Sequence, residues 1–104
     1  MEYPILKPRR DNRYELIEAY IYKDILVPKG YITNGANIPR LLWNIIPPFK
    51  PKYMHAVVIH DYLCDLEEYE KADLYFEELL YEVEKNIYTM SMVSAVKLYH
   101  KIKY

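Results

Sequence analysis

His60 and Asp61 stand side by side in Met54–Cys64, a stretch reading Met-His-Ala-Val-Val-Ile-His-Asp-Tyr-Leu-Cys. Imidazole next to carboxylate is the chemistry of general bases, of mixed metal sites and of buried hydrogen-bond networks. Apart from His55 at its start, the stretch is apolar all round a helical wheel except at these two residues, so it reads as a central helix packed on every side. An unpaired buried polar group costs about 1–3 kcal/mol, so other segments must bring partners to this point.

Three further segments are candidates to supply them. In the helix expected after Asp65, Ala72, Phe76, Leu79, Leu80 and Val83 form one apolar stripe, and Asp73 lies at its edge, about 20° from Leu80 on the wheel. Asp73 is therefore expected to be partly buried and to meet His60. The polar loop Thr33–Arg40 reads Thr-Asn-Gly-Ala-Asn-Ile-Pro-Arg, and its Thr33–Asn37 part is expected to offer Asp61 backbone N–H groups. Arg40, just inside a helix start, suits an anionic ligand.

Other chemistries fit less well. His55 and His60 are about 140° apart on the wheel and lack the one-face geometry of a zinc-binding pair. Asp61, Asp73 and His60 could hold Mg²⁺ or Mn²⁺ as mixed ligands, but no cofactor is expected, and a divalent metal is the minor alternative. Cys64 shares the His60 face, yet a Cys–His pair one turn apart on one helix seldom aligns for proton transfer. With only two glycines, Gly30 and Gly35, the chain has neither a P-loop nor a dinucleotide fingerprint.

The elements that must position these residues follow from the rest of the chain. At 104 residues and 52% hydrophobic content this is one domain with one core. Residues 1–12, with Pro4, Pro8 and a basic cluster, read as an extended arm, and residues 13–104 as the domain proper. Tyr14–Tyr22 reads as a strand with Ile17, Ala19 and Ile21 on one face, Lys23-Asp24 as a turn and Ile25–Val27 as the returning strand. Val27-Pro28-Lys29-Gly30 has the type I turn pattern and leads to a third short strand, Tyr31–Thr33. Asn37 caps a short helix with Pro39 in its first turn, which Pro47 and Pro48 end. Asp65 is expected to cap the acidic helix, Asn86 to end it, and Ser91 to cap a last helix with the stripe Met92, Ala95, Val96 and Tyr99. The fold class is α+β: a small antiparallel β-meander, a short helix and three α-helices.

Net charge is −1, so the chain as a whole has no pull toward nucleic acid or anionic membrane. The charge is uneven, since Asp65–Glu84 is strongly acidic whereas Lys85–Tyr104 carries lysines and no acid. One cysteine fits a reducing compartment. No signal-peptide core or membrane span is visible, so the protein is expected to be soluble and cytoplasmic. Thirteen tyrosines beside two glycines match what an AT-rich genome produces.

Taken together, Val27–Arg40, Ala56–Leu63 and Lys71–Phe76 resemble, in order and over roughly residues 14 to 100, the domain of unknown function 1353 family. The resemblance implies a small protein of bacteriophage or prophage type, in the host cytoplasm. That family's motifs read Thr-Asp-x-Ala-Ser-x-Pro, His-Asp-Tyr-Leu and Ala-Asp-x-x-Phe. This chain keeps His60, Asp61, Tyr62 and Asp73, but has Asn34 for the loop Asp and Asn37 for the Ser. An amide carries no charge and binds no proton at neutral pH, while Asn replaces Ser freely as a helix cap. These departures favour a ligand-binding or structural site over a shared catalytic one.

Three functions are therefore expected in turn. The first is an accessory protein whose pocket, with His60, Asp61 and Asp73 beside Thr33, Asn34, Asn37, Arg40 and Tyr62, binds a small anionic or nucleotide-like molecule or a host protein, so countering host defence. The second is a small hydrolase with His60 as general base. The third is a virion or assembly component, its acidic and basic helices meeting those of neighbours.

Overall fold

The computed structural model of the chain describes residues 3–11, 13–33 and 51–103. Asn34, Asn37, Arg40 and the short helix expected to follow Asn37 lie outside the described residues. Within them the order is β1 (Leu6–Pro8), β2 (Tyr14–Leu16), β3 (Tyr20–Tyr22), β4 (Ile25–Val27), β5 (Ile32–Thr33), then α1 (Met54–Asp65), α2 (Tyr69–Val83) and α3 (Ile87–Lys103). Antiparallel strands followed by helices are the expected α+β class.

The strands do not form one meander. They divide into a three-stranded sheet ordered β1-β2-β5 and a separate β3–β4 hairpin. Tyr14–Tyr22 breaks at residues 17–19, where the chain leaves β2 and crosses to the hairpin. The expected strand face of Ile17, Ala19 and Ile21 is exposed, and Leu16 and Tyr20 are buried instead. Part of the N-terminal arm is the edge strand β1, with Leu6 opposite Leu16 and Pro8 opposite Tyr14. An edge is where proline is tolerated, because its missing N–H leaves no ladder bond unmade on a central strand.

Turn chemistry explains the rest of the β half. Lys23, at φ 52°, closes the hairpin as expected. The next turn is displaced by one residue, since the Tyr31 N–H donates to the Pro28 carbonyl at 3.2 Å and Gly30 sits third at φ 90°. That conformation is the type II requirement for glycine, not the type I pattern. At the hairpin tip Lys23 meets Glu78 at 2.6 Å, and Asp24 accepts hydrogen bonds from Lys71 and from the Tyr75 hydroxyl. These contacts tie the hairpin to α2.

α1 is the axis of the core, with every residue from Met54 to Asp61 buried, as well as Leu63 and Cys64. It packs on α2 and on β4 and β5. A 3-10 turn at Pro51–Tyr53 leads into it, and the Tyr53 hydroxyl donates to Glu84 beyond the far end of α2. α2 buries Ala72, Phe76, Leu79 and Leu80, most of the expected stripe, with Val83 half-buried.

Both expected caps move. Asp65 ends α1 and accepts a hydrogen bond from the Tyr31 hydroxyl at 2.6 Å, while Glu68 occupies the α2 cap position without a side-chain bond. Asn86 starts α3 instead of ending α2. Its Oδ1 accepts from the Thr89 N–H and its own N–H donates to Thr89 Oγ1, both at 3.0 Å. This reciprocal pair satisfies helix-start donors, so Ser91 lies inside the helix and not at its cap.

Candidate functional site

The spacing of α1 sends His60 and Asp61 to different neighbours. Successive helix residues point about 100° apart, so the two groups cannot converge on one atom, and each needs its own partner. His60 faces α2, where its Nε2 lies 2.9 Å from Asp73 Oδ1 and its ring lies 4.8 Å from that of Phe76. Asp73 is four residues before Glu77 and three before Phe76, so α2 presents acid and ring to the imidazole from adjacent positions on one face. His60 is fully buried, and Asp73, 14% exposed, carries the pair to the surface.

Asp61 faces the sheet. Its Oδ2 accepts a hydrogen bond from the Thr33 hydroxyl at the end of β5, and both residues are buried. The expectation that Thr33 and its loop meet Asp61 is thus met at Thr33 by a side chain. Tyr62, half-buried, stacks edge-on against Tyr31 at 5.4 Å, one residue from the Asp61–Thr33 contact on the helix side. Tyr31 also binds Asp65, and burial beside these two acids pushes its phenol far above the usual tyrosine range. A phenol held neutral remains a hydrogen-bond donor throughout the physiological range.

Asp73 fixes which nitrogen of His60 is basic. A carboxylate at Nε2 takes the ring proton there, and the lone pair then belongs to Nδ1. The Cys64 thiol sits 3.8 Å from both ring nitrogens. Equal distances place it off the in-plane lone-pair direction of each, so it is not aligned as a nucleophile activated by His60. Cys64 is a buried free thiol, as a core cysteine would be. Among the described residues no three His, Cys, Asp or Glu side chains gather as metal ligands.

His55 is the feature the sequence understated. It is fully buried at the start of α1, neither ring nitrogen has a hydrogen-bond partner among the described residues, and the Tyr3 ring lies 4.6 Å from it. Loss of water around it holds the imidazole down to about 4. The one available signal was its position inside an otherwise continuous apolar run.

A buried His–Asp pair spanning α1 and α2, with the neighbouring α1 acid, Asp61, bound to a strand end, defines an α+β protein with a polar centre in its core. The chain belongs to the family described as protein of unknown function (DUF1353), whose model matches residues 11–96. It is 50% identical over 40 residues to an uncharacterised protein, y4jT, of Sinorhizobium fredii (strain NBRC 101917 / NGR234). That stretch is 38% of this chain and 12% of the relative, so the likeness spans a small part of a much longer protein. No solved structure matches. Among the described residues no helix is long and apolar enough to cross a membrane.

Proposed function

We propose that the chain is a small hydrolase in which His60 is the general base and Asp73 its orienting acid. The observation that carries the reading is the 2.9 Å contact of Asp73 with His60 Nε2. In this reading Asp73 accepts the Nε2 proton and orients the ring, and Nδ1 is the nitrogen that takes up a proton. In such a step Nδ1 takes a proton from water, the water oxygen bonds to the ester carbon or phosphorus, and the proton returns to the departing oxygen. Asp61, held by Thr33, keeps a second carboxylate on the sheet side of the same helix.

Turnover of p-nitrophenyl acetate and bis-p-nitrophenyl phosphate tests this reading with and without added Mg²⁺, Mn²⁺ or Ca²⁺. Loss of general-base catalysis costs about 10²–10⁴-fold, so His60→Gln should fall by that factor and Asp73→Asn should follow it. Equal rates for wild type and His60→Gln overturn it.

Retention of a ligand without chemistry is the second reading, favoured by Asn34 and Asn37 in place of an acid and a serine. It carries with it the phage-type accessory role, with an anionic small molecule or host protein as partner. Screening the purified protein against a metabolite extract distinguishes it: a ligand held by wild type and lost in His60→Ala, with no turnover by either, replaces the hydrolase. A single reduced, buried Cys64 supports placing the protein in a cytoplasm under both readings.

A further inference from the structure

Away from the polar centre, α2 and α3 together present a surface with a charge pattern of its own. On α2, Glu70, Leu74, Glu77 and Tyr81 lie within about 60° of one another on the wheel. Glu70 and Leu74 are exposed, Leu74 at 54%, with Glu67 and Glu68 exposed just before the helix. On α3 the corresponding outward face holds Ile87, Ser94, Leu98 and Lys101, within about 60° of one another. Ile87 is 78% exposed and Leu98 59%. A shallow cavity of ≈390 Å³ lined by Ile87, Met90, Ser91 and Ser94, among others, opens at the start of that face. Thr89, Met92, Val93 and Val96, all buried, are on the opposite side of α3.

The two outward faces adjoin. Lys97 Nζ lies 3.0 Å from Glu77 Oε2, which joins the margin of one to the margin of the other. The result is a single surface with an acidic half on α2, from Glu70 and Glu77 around Leu74, and a basic half on α3, from Lys97 and Lys101 around Leu98, with Ile87 exposed beyond. Such side chains clustered on a surface mark a place where something docks.

We infer that this surface docks a second copy of the chain about a two-fold axis that lies in the interface and runs along the helices. The charge pattern selects both occupant and axis. A two-fold axis along the helices lays the α2 half of each copy on the α3 half of the other, acid on base; an axis across the helices would lay acid on acid. A surface with opposite halves is complementary to itself under the first operation, which is the condition for a closed dimer. The short connection Glu84–Asn86 makes α2 and α3 antiparallel neighbours. Counting along them from the Lys97–Glu77 pair puts Lys101 level with Asp73. The axis therefore brings Lys101 to Glu70 and Leu74 of the second copy, and Leu98 to its Leu74 and Glu77.

Sedimentation velocity on the whole chain, over a range of protein concentration and salt, tests this. A dimer is expected at low salt that weakens toward about 1 M, where the screening length falls to about 3 Å. Leu98→Glu and Lys101→Glu should each raise the dimer dissociation constant by about tenfold or more. Glu70→Lys should do the same, and Glu70→Lys with Lys101→Glu should return it to within about threefold of wild type, because the charges again oppose. All these positions are exposed, and helix content by circular dichroism confirms that the variants fold. A wild type that stays monomeric at every concentration and salt overturns the inference, as does a dimer indifferent to Leu98→Glu. A monomer that instead sediments with phosphatidylglycerol vesicles, and ceases to on Leu98→Glu, also overturns it by assigning the α3 half to a lipid surface.

Discussion

His60 on α1 and Asp73 on α2 meet at 2.9 Å, and that contact links the two most extensively packed helices through a polar bond inside an apolar interface. Removing Asp73 takes the acceptor away from Nε2 of a fully buried imidazole. Asp73→Ala should therefore destabilise by about 1–3 kcal/mol in urea unfolding. His60→Phe with Asp73→Leu should cost less than Asp73→Ala alone, since both polar groups go together. A double variant as unstable as the sum of its singles would show that the pair is not coupled.

Thr33 supplies the hydroxyl that Asp61 accepts in the core. Thr33→Val keeps the shape and removes the donor, so it should destabilise by about 1–3 kcal/mol. Thr33→Ser retains the hydroxyl and should lose less. Thermal unfolding of the two variants side by side reads the difference.

His55 makes stability depend on pH in a calculable direction. Its folded value is lowered to about 4, below the ordinary 6.5, so between those values the unfolded chain binds more protons than the folded one. This contribution is present in full above about pH 6.5 and is lost as pH falls toward about 4. His55→Phe should flatten the slope of urea stability against pH across that window. An unchanged slope would assign the dependence to other groups.

Asn86 and Thr89 bind each other's backbone at the start of α3. Asn86→Ala should cost about 1 kcal/mol, and Ser91→Ala, one turn into the helix, should cost less. A larger loss at Ser91 would contradict the observed helix start.

The helices were legible because burial on a helix obeys a period. The wheel placed Asp73 at the edge of a stripe facing α1, and the structure finds it there on His60. The sheet was not legible to the same degree. Tyr14–Tyr22 has strand-forming residues throughout, and nothing local records that residues 17–19 leave one sheet for another; that break is decided by β1 arriving from the N-terminal arm to pair with β2. Asp65 and Asn86 are good caps on either side of a helix, and type alone does not say which end they serve. Asp65 went to Tyr31, a partner 34 residues away. His55 was visible as an interruption in an apolar run, but its burial without a hydrogen bond among the described residues is a property of the packed state.

β2 pairs with β5 across the intervening β3–β4 hairpin. The strand that delivers Thr33 to Asp61 thus finds its place only after the chain between has folded back on itself, at an entropic cost that grows with the length enclosed. Completion of the polar centre is consequently tied to closure of the sheet, and a lesion in the hairpin turns would be felt first as slow assembly at Asp61 and not as a weaker helix pair.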